Sequence, residues 1–216
     1  MRAYLGFVLA AALKNVICAK APIDGFNVQA GLWKADIDPA NSFLLAGTIQ
    51  DVKERLLRFN SSWILSEPEK QTEERTEEGE TTRLTVAQLP GLTCNTLPAA
   101  RTSAVGQAVQ DLEKSREVQM AFPTMRGEDC VTVSCVNDAR VWWCYSSPVT
   151  FHLPDSWRFF VQKTRDIMEG CVTADASLVS GRYSPPGADV TVIVRGEKCD
   201  GVPYRNSWRI PSMPKC

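Results

Sequence analysis

The chain has 216 residues, 44% of them apolar and 23% charged, which is the composition of an ordinary globular protein and excludes wholesale disorder or a fibrous repeat. Its 24 lysines and arginines nearly balance 25 aspartates and glutamates, so no basic excess points to nucleic acid or an anionic membrane as a partner. The single histidine excludes metal sites built from two or more histidines.

The N-terminus has the pattern of a secretory signal peptide. Arg2 is followed by an uncharged, largely apolar run over residues 3–13, which is too short to span a bilayer, and Ala19 offers a small residue at a cleavage point. The alternative is a buried N-terminal helix. We therefore expect residues 1–19 to be removed as a leader and the product to be secreted, with no stable insertion into a membrane.

A small N-terminal segment, residues 20–65, follows the leader. Apolar residues recur at helical spacing from Thr48 to Phe59 and predict a helix there. Asn60 begins an Asn-Ser-Ser triplet, which is a glycosylation acceptor in a protein that enters the secretory path.

Residues 66–83 form an acidic stretch with seven glutamates and no aliphatic or aromatic residue. Such a composition has nothing to pack into a core, so we interpret it as a flexible linker that is dispensable for folding. It separates the N-terminal segment from a cysteine-rich domain at residues 84–216. A protease that cuts the linker should leave a stable fragment that starts near Leu84.

Seven cysteines follow the acidic stretch, and clustered thiols in an oxidising compartment indicate disulfides. Zinc is the rival interpretation, but the chain has no Cys-x-x-Cys pair, so no metal site is expected. Three bridges among six of the cysteines are expected, with their connectivity left open: Cys94, Cys130, Cys135, Cys144, Cys171 and Cys199. Cys216 is left over, and it either forms an intermolecular disulfide or displaces one of the six.

Periodicity in the cysteine-rich domain predicts an alternation of strands and helices. Strands are expected at 84–89, 130–135, 140–145 and 190–194, and helices at 99–118 and 157–171. This order is that of a split βαβ arrangement. The predicted fold is therefore α+β, a disulfide-stapled sandwich in which a four-stranded antiparallel sheet carries two helices on one face, preceded by the N-terminal segment.

Turn residues at 137–138 set the predicted register of a central hairpin. With a two-residue turn, Cys144 lies opposite Val131, which puts Trp142 on the core face and Trp143 on the other face. Trp143 is then either covered by the rest of the chain or exposed. If exposed, it is the candidate contact surface for a partner.

Four short motifs in order resemble a group of fungal small secreted cysteine-rich proteins, of the killer-toxin-like and effector-like kind. They are Val-Ser-Cys at 133–135, Trp-Trp-Cys at 142–144, Val-Ser-Gly at 179–181 and Val-Ile-Val-Arg-Gly at 192–196. The resemblance covers Cys130–Cys199, about a third of the chain. It implies an extracellular, disulfide-bonded α/β sandwich similar to killer-toxin-like and effector-like folds, and it implies no established catalytic residue.

Candidate catalytic groups are few. Histidine is the side chain whose unperturbed pKa lies nearest neutrality, but no Gly-x-Ser-x-Gly motif accompanies His152, and we expect a loop histidine. A glycosidase needs two carboxylates, and no spacing singles out a pair among Glu113, Asp129, Asp155 and Glu169.

The sequence therefore predicts a secreted interaction protein, not an enzyme, that needs no cofactor and acts on an extracellular protein or glycan of a host or competitor. The alternative is a secreted carbohydrate-active hydrolase that uses paired carboxylates.

Overall fold

A computed structural model describes residues 20–38, 41–59, 89–115, 118–120, 127–146 and 156–199. Several sequence-based expectations lie outside the described residues: the leader, the acidic stretch, most of the strand at 84–89, Asn60, His152, Asp155 and Cys216.

Three helices occur in the described residues: α1 (Ile49–Phe59), α2 (Thr102–Glu113) and α3 (Ser156–Gly170). Their positions confirm that a helix lies in each predicted region, and Gly170 ends α3 as expected. The helix predicted at 99–118 is shorter than expected, because residues 100–101 and 118–120 belong to strands. The strands are β1 (Asn27–Ala30), β2 (Leu32–Asp38), β3 (Asn41–Ala46), β4 (Leu92–Cys94), β5 (Ala100–Arg101), β6 (Val118–Met120), β7 (Asp129–Val136), β8 (Ala139–Tyr145), β9 (Leu178–Val179), β10 (Gly181–Tyr183) and β11 (Val190–Gly196).

The largest sheet has six strands in the order β1-β7-β8-β11-β10-β4, with β1 parallel to β7 and the other neighbours antiparallel. Two small sheets, β3-β2-β6 and β5-β9, complete the strand pairing of the described residues. The fold is α+β, as the sequence predicts. The four-stranded split βαβ sandwich is not confirmed, because a parallel strand from the N-terminal segment extends one edge and two three-residue strands extend the other.

All three helices contribute to one apolar cluster on one face of the six-stranded sheet, which we call the main core. Val105, Val109 and Leu112 of α2 are buried in it, as their helical spacing predicts. The N-terminal segment also belongs to the main core, through Trp33 of β2 and Ile49 of α1. Residues before and after the acidic stretch therefore share one core.

The opposite face of the sheet, which we call the back face, is covered by the first residues of the described chain. Ala21 is buried there together with Trp142 and Ile193, and Phe26 packs against the same cluster. Each face of the central strands is thus covered by a different part of the chain, helices on one side and residues 21–28 on the other.

The central hairpin has the predicted turn but a different register. Asn137 and Asp138 have φ values of 45° and 62°, as a two-residue type I′ turn requires. A β-bulge between residues 132 and 134 of β7 then shifts the pairing by one residue, so that Val131 lies opposite Trp143. The predicted pairing of Val131 with Cys144 is therefore wrong.

Because of the bulge, the predicted faces of Trp142 and Trp143 are also reversed. Trp143 shares the helix-covered face with Val131 and lies in the main core, whereas Trp142 lies on the back face.

Helices long and apolar enough to cross a membrane are absent from the ranges that the structure describes.

Candidate functional site

Six cysteines form three disulfides, as the sequence predicts, and the structure fixes their connectivity. Cys94–Cys171 joins β4 to the end of α3, and Cys130–Cys144 links β7 to β8 within the hairpin. Cys135–Cys199 ties the end of β7 to the chain that follows β11. Two of the bridges therefore join elements that lie far apart in the sequence, with separations of 77 and 64 residues, and the third closes a single hairpin.

Trp143 is not a contact surface. Its side chain is 4% exposed, and its ring stacks on Phe160 of α3 with centroids 5.1 Å apart and an interplanar angle of 13°. The physical reason is the bulge in β7, which places Trp143 under α3. The prediction that this ring could be exposed for a partner is corrected by this packing.

Three of the four candidate carboxylates lie in the described residues, and two of these three contact a polar side chain. Glu113 of α2 forms an ion pair with Arg165 of α3, and buried Asp129 accepts a hydrogen bond of 2.7 Å from the side-chain amide of Gln29. Glu169 is exposed on α3. Within the described ranges, no group of three or more His, Cys, Asp or Glu side chains is placed to hold a metal ion.

Half-buried aromatic side chains lie instead where α3 meets β10. The side chains of Phe159 and Tyr183 meet edge to face with centroids 6.3 Å apart, and the Lys163 ammonium lies 4.6 Å from the Tyr183 ring centroid and 5.8 Å from that of Phe159. We call these three residues the α3 rim. Two half-buried rings thus lie against an ammonium group whose side chain is 18% exposed.

The elements explain how the α3 rim forms. Phe160 and Ile167 point into the main core, which leaves Phe159 and Lys163, four residues apart, on the flank of α3. Asp166 holds the Lys163 ammonium at 2.7 Å from one turn further along. Tyr183 reaches the rim because β10 places it on the helix-covered face, opposite Val192.

The sequence indicates two of the three residues of the α3 rim. The spacing of Phe159 and Lys163 on a predicted helix indicates neighbouring side chains. The sequence does not indicate that Tyr183 joins them, because its position depends on β10. That strand has three residues and is too short for periodicity to reveal. Aromatic rings beside a cation suit stacking and polar contact with a glycan or a peptide.

Comparisons with protein-family models, with curated proteins and with solved structures found no match for this chain. The resemblance to fungal secreted proteins therefore rests on the sequence motifs alone.

Proposed function

We propose that this chain is a secreted interaction protein, effector-like or toxin-like, that binds an extracellular protein or glycan of a host or competitor without catalysing a reaction. The observation that carries the proposal is the set of three disulfides within one small fold. Disulfides form and persist in oxidising compartments, and they typically stabilise small extracellular domains. The signal-peptide pattern at residues 1–19 and the motif resemblance point the same way.

The engagement of the candidate carboxylates supports binding over hydrolysis. A glycosidase requires two carboxyl groups that face a common cleft at about 5–10 Å from each other. Glu113 is neutralised by Arg165, and Asp129 is buried with Gln29 as its hydrogen-bond donor. These two groups have the environment of structural side chains.

We assign the contact to the α3 rim, because it places two half-buried aromatic rings together at the surface. Tyr183 and Phe159 offer ring surface at low cost in side-chain entropy, which is why aromatic residues are common at binding sites. The rim lies far along the sheet from α1, which packs against β7. An exposed residue of α1, Leu57, therefore provides a control outside the proposed contact.

The first experiment tests secretion and the disulfides. The chain is expressed with residues 1–19 in a fungal secretion host, and the protein in the medium is alkylated without reduction and weighed intact. We expect a mature chain that begins at Lys20 with none of the six bridged cysteines alkylated. Cell-retained protein with its leader intact, or two or more alkylated sites among these six, would contradict the proposal.

The second experiment tests binding and turnover with one panel of targets. Fluorescently labelled protein is incubated with chitin, β-glucan, cellulose and intact fungal and plant cells, beside a reduced and alkylated sample. We expect retention on at least one target by the oxidised form, at least about tenfold weaker for Tyr183→Ala and unchanged for Leu57→Ala. Release of soluble sugar that is lost in a folded Glu113→Gln, Asp129→Asn or Glu169→Gln variant would instead establish the hydrolase alternative.

A further inference from the structure

One of the three disulfides closes a small latch at the hairpin end of the sheet. Cys135–Cys199 fastens the chain after β11 to the β7–β8 hairpin. The backbone N–H of Cys199 donates to the Asp138 carboxylate at 3.2 Å, and the N–H of Glu197 donates to the Asp138 carbonyl at 2.8 Å. We call residues 197–199, held in this way, the latch segment.

The latch disulfide is the one most open to attack from solvent. Cys135 and Cys199 are both half-buried. Cys130 and Cys144 are 0% and 1% exposed beneath residues 21–28 of the back face. A thiol must reach a sulfur atom in line with the bond that breaks, so burial of both sulfurs blocks exchange.

The Cys94–Cys171 disulfide is protected differently. Cys171 is buried in the main core, and the backbone of Gly181 packs so closely on its sulfur that a Cβ there would lie 2.7 Å from it. Cys94 is half-buried, but opening this bridge would free the end of α3 from β4 and disturb the core. Its reduction is therefore coupled to unfolding, whereas the latch segment lies outside the main core.

A buried arginine lies opposite Cys135, the latch cysteine on β7. Arg140 is directly opposite Cys135 in the hairpin register, which puts their Cβ atoms about 5 Å apart on the same face. The Arg140 guanidinium is 1% exposed, pairs with Glu197 at 3.1 Å and donates to the carbonyl of Lys198. The guanidinium is thus held by the latch segment itself, and it also lies over the Trp142 ring, 5.2 Å from the ring centroid.

We propose that Cys135–Cys199 is a redox-sensitive latch that low-molecular-weight thiols open while the rest of the fold stays intact. A thiolate attacks the Cys199 sulfur, forms a mixed disulfide with it and displaces Cys135 as a thiolate that Arg140 stabilises. A second thiolate attacks the mixed disulfide at the sulfur of the first thiol and releases Cys199. In sum, two thiols are oxidised to one disulfide, and the protein gains two electrons and two protons.

Opening the latch has a defined structural consequence. The latch segment loses its covalent attachment to the hairpin and keeps its hydrogen bonds to Asp138 and its ion pair and hydrogen bond with Arg140. Residues 197–199 can then leave the hairpin when the protein passes from an oxidising to a thiol-rich compartment. This inference concerns one bond of the folded chain and does not depend on the proposed function.

The test is a titration of the intact protein with reduced glutathione. Samples are trapped with an alkylating reagent, and each cysteine pair is quantified by peptide mass mapping beside far-ultraviolet circular dichroism. We expect Cys135 and Cys199 to be alkylated first, at a glutathione concentration at least about tenfold below that for the other pairs, with the dichroism unchanged. Simultaneous reduction of all three bridges, or earlier reduction of Cys94–Cys171, would overturn the proposal.

Variants at Arg140 separate its charge from its packing. We expect Arg140→Gln to slow latch reduction about tenfold, and Arg140→Lys, which keeps the charge, to restore the rate. Equal rates of latch reduction in the two folded variants would show that the Arg140 charge does not stabilise the leaving thiolate. If Arg140→Gln does not fold, a Cys135→Ser/Cys199→Ser double variant remains decisive: it must keep the dichroism of the unreduced protein, and loss of the fold would contradict an independent latch.

Discussion

At the scale of single residues, the loop after Cys171 contains a carboxylate with a strongly shifted pKa. Asp175 accepts hydrogen bonds from the hydroxyls of Ser177 and Thr173, at 2.6 and 2.5 Å, and from the Ser177 backbone N–H at 3.2 Å. These donors favour the charged form and lower the pKa of Asp175 from 3.8 to about 2, although the side chain is exposed.

The lowered pKa predicts a pH dependence with a definite sign. Because the folded pKa lies below the unfolded one, the contribution of Asp175 to stability is present above about pH 4 and is lost as the pH falls towards 2. Asp175→Asn should therefore destabilise the protein at neutral pH, and the difference from wild type should shrink near pH 2.

Nuclear magnetic resonance provides the direct measurement. The Asp175 carboxyl should titrate near pH 2 in the wild type, and Ser177→Ala should move its midpoint upward, since the Ser177 hydroxyl is the largest cause of the shift. Asp189→Asn, at another exposed aspartate, is the control for the stability series. An Asp175 midpoint near 4 in the folded wild type would refute the hydrogen-bonded geometry.

Trp143 carries a prediction about packing. Its buried ring stacks on Phe160, so Trp143→Ala removes a large side chain from the main core and should cost about 3–5 kcal/mol of unfolding free energy. Denaturant unfolding measures this loss. Leu57→Ala, at a side chain that is 50% exposed on α1, should change the free energy by less than about 0.5 kcal/mol. A comparably small effect for Trp143→Ala would mean that the ring is not packed as described.

At the scale of elements, α1 completes an edge of the sheet that β1 leaves open. The pairing of β1 with β7 ends at Thr132, so the following residues of β7 have no strand neighbour on that side in the described residues. Gln50 of α1 fills the gap. Its side-chain oxygen accepts the backbone N–H of Cys135 at 3.1 Å, and its amide donates to Ser134 at 2.8 Å and Asp111 at 3.1 Å.

Removal of the Gln50 amide should therefore weaken the attachment of α1. Gln50→Ala leaves the Cys135 N–H without this acceptor and takes a partner from buried Ser134, which should cost about 1–3 kcal/mol of stability. Thermal and denaturant unfolding measure the effect. Glu54→Ala, which removes only an exposed pair with Arg58 on the same helix, should cost about 0.5 kcal/mol or less. Equal effects of the two variants would exclude the edge-completing role.

The same elements show how far the sequence could predict the fold. The three helices and the hairpin turn follow from local signals, namely helical spacing and two turn residues that accept positive φ. The bulge in β7 has no such signal, because packing of Val133 and Trp143 under the helices selects it. The parallel pairing of Asn27 with Asp129 joins residues far apart in the sequence, which no local pattern encodes.

The candidate site divides in the same way. The number and clustering of the cysteines predict three bridges among six of them, whereas their pairing required the positions of β4, β8 and the latch segment. Strict alternation predicts the wrong face for Trp143. The inserted residue lies in β7, and it inverts the face of each β7 side chain beyond it relative to β8. The α3 rim was missed because Tyr183 lies on a strand of three residues.

At the scale of the whole molecule, the acidic stretch does not separate two independent cores. Before it, β1 adds four residues to the sheet beside β7, and Trp33, with its indole N–H bonded to the Gly47 carbonyl at 2.8 Å, is fully buried in the main core. The strands and helices against which these N-terminal residues pack follow the acidic stretch. The expectation of a stable fragment that starts near Leu84 is therefore replaced by a different prediction.

Cleavage within residues 66–83 should yield two chains that stay together. A protease site is inserted into the acidic stretch of a protein that begins at Lys20, and the cut sample is analysed by size-exclusion chromatography and mass spectrometry. We expect both pieces in a single native peak, separating only in denaturant, because the sheet pairing and the main core hold them without a covalent link. None of the three bridges joins the pieces, so their association reports non-covalent contacts alone.

A variant with Trp33→Ala tests the physical reason. Loss of this fully buried side chain removes about 3–5 kcal/mol of packing from the N-terminal piece, so the cut variant should release that piece at a lower denaturant concentration than the cut wild type. Leu57→Ala, which shortens an exposed side chain on the same piece, serves as the control and should leave the release unchanged. A C-terminal piece that elutes alone, folded and with native dichroism, would show that the cysteine-bearing part needs no strand from the N-terminal segment.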